Sequence, residues 1–146
     1  MRLMGLDVGD KRIGVAVNDL LNLTAQPIAV IERKGMERDL AEIDRLCKQY
    51  EVEKLIVGLP LNMNGTLGPK AHQVQEFGHL VAGNLDLLIE FFDERLTTKQ
   101  AETMLIQADV SRSRRREVID KLAAAHILQT YMDAKRNQNK NKPING

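Results

Sequence analysis

Apolar residues along this chain follow two patterns, short continuous runs and helical spacing, and each pattern predicts a different kind of element. Short apolar runs bounded by turn residues predict five strands, at 2–8, 12–18, 26–31, 55–58 and 87–92. A helix is predicted over 36–50, because apolar residues recur there at helical spacing, at Leu40, Ile43, Leu46 and Cys47. Further helices are predicted at 69–82, at 117–134, and from Thr97 or Thr98 onward, where Thr97 and Gln100 match a capping box.

The order of these elements predicts the fold class. The first three strands follow one another directly, and Gly9 with Asp10 forms a tight hairpin turn between the first two. Helices and strands then alternate, which is typical of parallel strands joined by crossover helices. The sequence therefore predicts an α/β fold whose mixed five-stranded sheet is flanked by helices, with antiparallel strands at one side and parallel strands at the other.

Length and composition are those of one globular domain. The chain has 146 residues, 43% hydrophobic and 28% charged, and we assign residues 1–136 to a single domain. Residues 137–146 contain Asn and Lys without apolar periodicity, so we expect a disordered basic tail there. The single cysteine, Cys47, falls at an apolar helical position and is expected to be a buried thiol.

The sequence offers neither a targeting signal nor a strong overall charge. It has no signal-peptide pattern and no apolar run of membrane-spanning length, so we expect a cytoplasmic protein without membrane association. The formal net charge is only +1, and the chain has no Trp, two Tyr and three Phe. Nucleic acid would therefore have to be recognised by local basic clusters and by its backbone and shape, since a base-stacking platform is not expected.

Asp7 is the most informative single residue, because it lies inside an apolar strand. A carboxylate in such a segment is costly to desolvate without a partner, and its place at the end of the strand suits a metal ion or a phosphate-bearing ligand. Gly58 to Pro60 end the fourth strand, and Asp93 with Glu94 ends the fifth. These three features should meet at one edge of the sheet, where ligands of parallel sheets gather. Spacing alone does not decide whether Asp93 or Glu94 faces Asp7.

The last helix brings a further carboxylate to this edge. Asp120 shares one helical stripe with Ala124, Leu128 and Tyr131, so we expect it to point toward the sheet. Small side chains at 123–125 would let the helix approach the strands closely. The alternative is that Asp120 only complements the helix dipole from the first turn.

Four motifs in order resemble a known family. They are GLDVG with KRIGVA (5–9 and 11–16), VGLPLN (57–62), DERLTT (93–98), and Asp120 ahead of Ala123 and Ala124. Together they resemble the YqgF (RuvX) family over residues 3–132, although Asp10 occupies a turn position that is often smaller or uncharged. The resemblance implies a ribonuclease H-like fold and a nuclease whose acidic triad is Asp7, Glu94 and Asp120.

The resemblance also implies a substrate, and the chemistry of the triad indicates a cofactor. It implies a role in 5′-end processing of precursor 16S ribosomal RNA, with structured precursor RNA as the partner. Hydrolysis of a phosphodiester by in-line attack suits two Mg²⁺ or Mn²⁺ ions about 4 Å apart, held by carboxylates from three elements. The alternatives are resolution of Holliday junctions in branched DNA during recombination or repair, and a non-catalytic RNA-binding assembly factor. The oligomeric state stays open.

Basic residues near the predicted site are candidates for nucleic-acid contacts. They are Lys11 and Arg12 on the first hairpin, Arg95, and a cluster between the fifth strand and the last helix, at Arg112, Arg114, Arg115 and Arg116. For the hairpin and for the cluster, a solvated surface without function is the alternative.

Three other features are weaker candidates. His72 and His79 are seven residues apart on a predicted helix, about 10 Å along its axis, which is too far to share one metal ion. The loop with Asn62, Asn64 and Gly65 could either cradle a phosphate or simply form turns. The first hairpin also resembles the phosphate-binding hairpin of actin-like ATPases, but those proteins close two such domains around a nucleotide.

Overall fold

The computed structural model describes residues 1–93 and 112–140, and of residues 112–121 and 138–140 it describes only the backbone. Five strands and three helices make up this part of the chain. The strands are β1 (Leu3–Val8), β2 (Arg12–Asn18), β3 (Ala25–Glu32), β4 (Lys54–Leu59) and β5 (Leu88–Asp93). The helices are α1 (Met36–Gln49), α2 (Pro69–Leu85) and α3 (Arg112–Lys140). None of these helices has an apolar stretch that could span a lipid bilayer.

The five strands form one mixed sheet in the order β3-β2-β1-β4-β5. The pairs β1–β2 and β2–β3 are antiparallel, whereas β1–β4 and β4–β5 are parallel. The predicted sheet is therefore confirmed, including its division into an antiparallel and a parallel side. Because β1, β4 and β5 are parallel neighbours, their carboxyl ends lie at one edge of the sheet.

Each face of the sheet carries its own hydrophobic core. On one face, Met4, Leu6 and Val8 of β1 belong to the larger core, which includes residues of α1 and α2. On the other face, Leu3 and its neighbours pack against α3. Alternate residues of each strand point to opposite faces, so the odd-numbered residues of β1 face α3.

Small residues allow α3 to lie directly on the sheet. A Cβ added to Gly5 would come within 2.9 Å of both the Ala124 carbonyl oxygen and the Leu128 Cβ. Ala124 and Leu128 of the predicted stripe are fully buried, and so is the neighbouring Ala123. The close approach of α3 to β1 therefore depends on glycine at position 5.

A polar cluster holds the middle of α3 to the amino ends of β4 and β5. The Lys54 Nζ lies 3.0 Å from Glu90 Oε1 and 3.1 Å from the Tyr131 hydroxyl, which in turn lies 3.3 Å from the same Glu90 oxygen. Partial burial raises the pKa of Glu90, but the hydrogen bond and the charge of Lys54 outweigh it, so the pKa lies below its ordinary value. The three side chains fix α3 along its axis.

The largest difference from the predicted elements is the length of α3. It was predicted over 117–134 but extends from Arg112 to Lys140. At its start, the arginine cluster forms helical turns instead of a loop, because arginine is a good helix former even without an apolar stripe. Near its end, Lys135 lies 3.7 Å from Glu90 and Arg136 contacts the Asn22 carbonyl oxygen. Residues 137–140 of the expected tail are thus helical, while residues 141–146 lie outside the described part.

The remaining elements agree with the predictions within three residues at each end. The helix predicted from Thr97 or Thr98 lies outside the described residues. Cys47 is buried, as expected, and its Sγ lies 3.8 Å from the Met4 sulfur. Burial raises the pKa of the Cys47 thiol to about 11, so the thiol stays protonated at neutral pH.

Candidate active site

Asp7 lies where the sequence predicts it, near the carboxyl end of the central strand β1. It is paired with Gly14 of β2 and stands between the buried residues Leu6 and Val8, but its own side chain is partly exposed. It points to the same face as Gly5, toward α3. The strand thus presents a carboxylate at the sheet edge without burying it.

The course of α3 brings Asp120 to the same end of the sheet. Tyr131 contacts Lys54, the first residue of β4, and seven residues earlier Ala124 contacts Gly5 in the middle of β1. Helix α3 therefore runs antiparallel to β1. Asp120 lies one turn before Ala124, about 6 Å further toward the carboxyl end of β1, and Asp7 lies about 6.6 Å beyond Gly5 in the same direction. The side chain of Asp120 is outside the described part of the structure.

Asp93, the first carboxylate of the third motif, is the last residue of β5. Asp93 is paired with Leu59, and Phe91 with Val57, on the face that carries α1 and α2. Glu90 and Phe92 belong to the other face, where they contact Tyr131. Asp93 therefore does not share a face with Asp7. Glu94 and Arg95 lie outside the described residues.

Metal-binding residues are not assembled within the described side chains. Among them, no group of three or more His, Cys, Asp or Glu side chains is close enough to hold one ion. Two of the three predicted ligands, Glu94 and Asp120, are not among those side chains, so Asp7 is the member of the triad whose side chain lies within the described part of the structure.

The first hairpin is the tight turn that the sequence predicts. The Gly9 N–H donates to the Arg12 carbonyl oxygen at 2.8 Å, and a Cβ on Gly9 would lie 2.8 Å from that same oxygen. Lys11 is exposed and Arg12 is partly exposed. Asp10 forms an ion pair with Lys70 of α2, and the hydrogen bond and charge of Lys70 hold the pKa of Asp10 below its ordinary value. The turn thus lies beside Asp7 and presents two cations.

In the loop between β4 and α2, several backbone N–H groups donate hydrogen bonds to acceptors within the same loop. The Asn62 N–H donates to the Thr66 carbonyl oxygen, the Gly65 N–H to the Asn62 carbonyl oxygen, and the Thr66 N–H to Asn64 Oδ1. Gly65 has a φ of 84°, which glycine adopts readily. These hydrogen bonds support the interpretation of the loop as a set of turns, since three N–H groups that a phosphate could use are already paired.

The two histidines on α2 are exposed. The ring of His79 packs edge-on against Phe91, with ring centroids 5.1 Å apart. Through this contact His79 packs against β5.

Sequence reasoning missed two residues next to the hairpin, Arg33 and Asp39. Asp39 is 1% exposed and accepts hydrogen bonds from the Lys34 N–H at 3.0 Å and from Arg33 Nε at 3.4 Å. Arg33 also donates through Nη1 to the Gly9 carbonyl oxygen at 2.9 Å. An acidic residue in the first turn of α1 was the only available signal, and it is common at helix starts.

The sheet order, the layer of α3 and the carboxylate at the end of β1 define a ribonuclease H-like fold, and solved structures confirm this. Thermus thermophilus RuvC in complex with a Holliday junction substrate has a TM-score of 0.58 at 16% identity, covering 93% of this chain and 96% of RuvC. The Holliday junction resolvase of fowlpox virus has a TM-score of 0.55 at 18% identity, covering 92% and 99% of the two chains. At these identities the likeness concerns the fold.

Sequence comparison identifies the family. Residues 1–134 match the RuvX family, which is described as "Holliday junction resolvase", and the chain belongs to this family. A relative from Syntrophomonas wolfei is 53% identical over 133 residues, 91% of this chain and 94% of the relative. One from Heliobacterium modesticaldum is 55% identical over 135 residues, 92% and 91% of the two chains. Both are named "Putative pre-16S rRNA nuclease", so the predicted family is confirmed and the chain is of the nuclease class, hydrolases that act on ester bonds.

Proposed function

We propose that this protein is a divalent-metal-dependent endonuclease that processes the 5′ end of precursor 16S ribosomal RNA in the cytoplasm. Its catalytic residues and metal ligands are Asp7, Glu94 and Asp120. The names of relatives that share about half of their residues with this chain support the substrate.

One observation carries the choice of site. Helix α3 runs antiparallel to β1 on the face to which Asp7 points, with Ala124 held against Gly5. Residue 120 and Asp7 are therefore displaced by similar distances, in the same direction, from one point of contact. Two acidic residues far apart in sequence thus approach one end of the sheet. This arrangement supports a shared role for Asp7 and Asp120.

The faces of β5 support the choice of Glu94 over Asp93. Asp93 belongs to the face of α1 and α2, away from Asp7. The resemblance to the RuvX family indicates Glu94 as the ligand. Asp93, the adjacent carboxylate, faces away from Asp7 and does not compete for this role.

The donor set fits a hard divalent cation. All three proposed ligands offer carboxylate oxygens, which Mg²⁺ and Mn²⁺ prefer, and Asp7 is partly exposed and can keep water beside it. When bound, a pair of such ions makes a water nucleophilic and stabilises the leaving alkoxide. Asp7, Glu94 and Asp120 are the residues that would hold these ions. Both the identity of the ions, Mg²⁺ or Mn²⁺, and their number, two, belong to this proposal.

Basic residues hold the nucleic-acid backbone in this proposal. Lys11 and Arg12 lie on the turn that follows Asp7 by two residues, so they reach phosphates next to the site. Arg95 and the start of α3 extend the contact, with Arg112, Arg114, Arg115 and Arg116 on the helix that carries Asp120. Such contacts position the substrate without reading its sequence.

Mapping of RNA ends in cells tests the proposed substrate. Depletion of the protein should cause accumulation of 16S precursors with extended 5′ ends, detected by primer extension, and re-expression of the wild type should restore the mature end. Re-expression of the Asp7→Asn variant at the same level should fail to restore it, because that variant lacks the proposed metal ligand.

Two other results would each favour a different function. Full rescue by Asp7→Asn would favour a non-catalytic assembly factor. The second result is that the 16S ends are mature after depletion and that the purified protein cuts four-way DNA junctions. This result would favour the resolvase function by which the family is described.

A further inference from the structure

The turn between β1 and β2 is held at each of its residues by groups from elsewhere in the chain. The Gly9 carbonyl oxygen accepts from Arg33 Nη1 at 2.9 Å, and the Lys11 carbonyl oxygen accepts from the Arg33 N–H at 2.9 Å. Between them, the Asp10 carboxylate pairs with Lys70 Nζ. Two residues, one after β3 and one at the start of α2, thus anchor three consecutive turn residues.

Arg33 is itself fixed by two further contacts. Its Nε lies 3.4 Å from Oδ2 of the buried Asp39 on α1, and its guanidinium carbon lies 4.8 Å from the centroid of the Phe77 ring on α2. The Arg33 side chain is 28% exposed. A planar guanidinium can meet a carbonyl, a carboxylate and an aromatic face together, which a lysine ammonium cannot do in the same geometry. Arg33 therefore connects the turn to both helices of that layer.

The held turn lies immediately beyond Asp7. The last pair of the β1–β2 ladder is Val8 with Ile13, and Asp7 with Gly14 is the pair before it. A turn that moves freely would let the end of this ladder fray, and Asp7 is the proposed metal ligand that lies next to it. The backbone of Asp7 is thus only two residues from the carbonyl that Arg33 holds.

We propose that Arg33 is a positioning residue for the active site: it fixes the Gly9–Lys11 turn and, through it, the Asp7 carboxylate. Lys70 supports the same turn through Asp10. This inference rests on the proposed function of Asp7. Arg33 touches neither substrate nor metal in this account, since its contacts lie on the side of α1 and α2, opposite the face to which Asp7 points.

The experiment compares three variants with the wild type: Arg33→Met, Arg33→Lys and, as the control, Arg45→Met. Arg45 is an exposed arginine of α1 that pairs with Glu42 and Gln49, away from the turn. The measurements are kcat and KM for cleavage of one structured RNA, the Kd for Mn²⁺ by calorimetry, and amide hydrogen exchange of residues 8–13 and of β4.

Arg33→Met should lower kcat about 10- to 100-fold, because small displacements of a catalytic group have effects of that size. KM should change by a smaller factor than kcat, because Lys11 and Arg12 are only part of the proposed phosphate contacts. Mn²⁺ binding should weaken, and exchange should become faster at residues 8–13 while β4 stays protected. Arg33→Lys should recover part of kcat and part of the Mn²⁺ affinity, and Arg45→Met should match the wild type.

Two results would overturn the inference. One is a loosened turn with unchanged kcat and unchanged Mn²⁺ affinity. The other is a uniform loss of protection that includes β4, since Arg33 would then serve only the fold. Should Arg33→Met not fold, Lys70→Met at a partly exposed site must produce the same changes on a smaller scale, and its equality with the wild type would count against the inference. If the wild type cleaves no RNA, the proposed function fails, while Mn²⁺ affinity and exchange still decide the role of Arg33.

Discussion

Replacement of Asp7 by Asn should reduce cleavage of a structured RNA by at least about 10²- to 10³-fold, the effect of removing one group that stabilises a transition state. Asparagine keeps the volume of the side chain but removes the charge that holds a divalent cation. The fold should persist, because Asp7 is partly exposed and lies at the end of its strand. The measurement is the single-turnover rate at saturating enzyme, with circular dichroism to check the fold.

The matched control is Asp93→Asn, which removes a carboxylate from the end of β5, another parallel strand of the sheet, but on the opposite face. It should cleave at close to the wild-type rate. If the Asp7→Asn variant were as active as the wild type, the proposed catalytic triad would be contradicted.

The second large effect concerns stability and the position of α3. Gly5→Ala should destabilise the protein by about 1–3 kcal/mol, because the added Cβ meets the backbone of Ala124 and the Cβ of Leu128, neither of which can rotate away. Urea denaturation should report this loss. Cleavage by the folded variant should also fall, since α3 must move away from the face that carries Asp7.

Gly83→Ala is the control for the loss of a glycine. Gly83 lies in α2, and a Cβ there would meet no atom within 4 Å. This variant should be as stable as the wild type or more stable by up to about 1 kcal/mol, because alanine is the better helix former. Equal stability of the Gly5→Ala variant and the wild type would contradict the close packing of α3 on β1.

Much of the fold could be predicted because local pattern and tertiary structure agree. The apolar run around Asp7 and the Gly9–Asp10 turn predict β1 and the hairpin, and the small residues at 123–125 predict a helix that lies close to the sheet. Asp7 stood out because a carboxylate within an apolar strand conflicts with the pattern around it, and such conflicts are typical of functional sites.

Other features depend on information that a single sequence does not contain. The face of Asp93 is set by its register with Leu59 of β4, and no local pattern fixes that register. The contacts of Arg33 join residues 24 positions apart in sequence, and arginine in a loop looks like any other surface charge. The start of α3 was predicted too late because the apolar stripe begins after the arginine cluster, whereas helix propensity extends through it.

The most direct test of the proposed site is a calorimetric titration of the purified protein with Mn²⁺, carried out in parallel with RNA cleavage. We expect saturable Mn²⁺ binding in the wild type that weakens at least about tenfold in Asp7→Asn, Glu94→Gln and Asp120→Asn, as loss of support for a metal site does. Asp93→Asn should bind Mn²⁺ like the wild type. Equal Mn²⁺ affinity in all five proteins, or the same loss in Asp93→Asn as in Glu94→Gln, would contradict the proposed site.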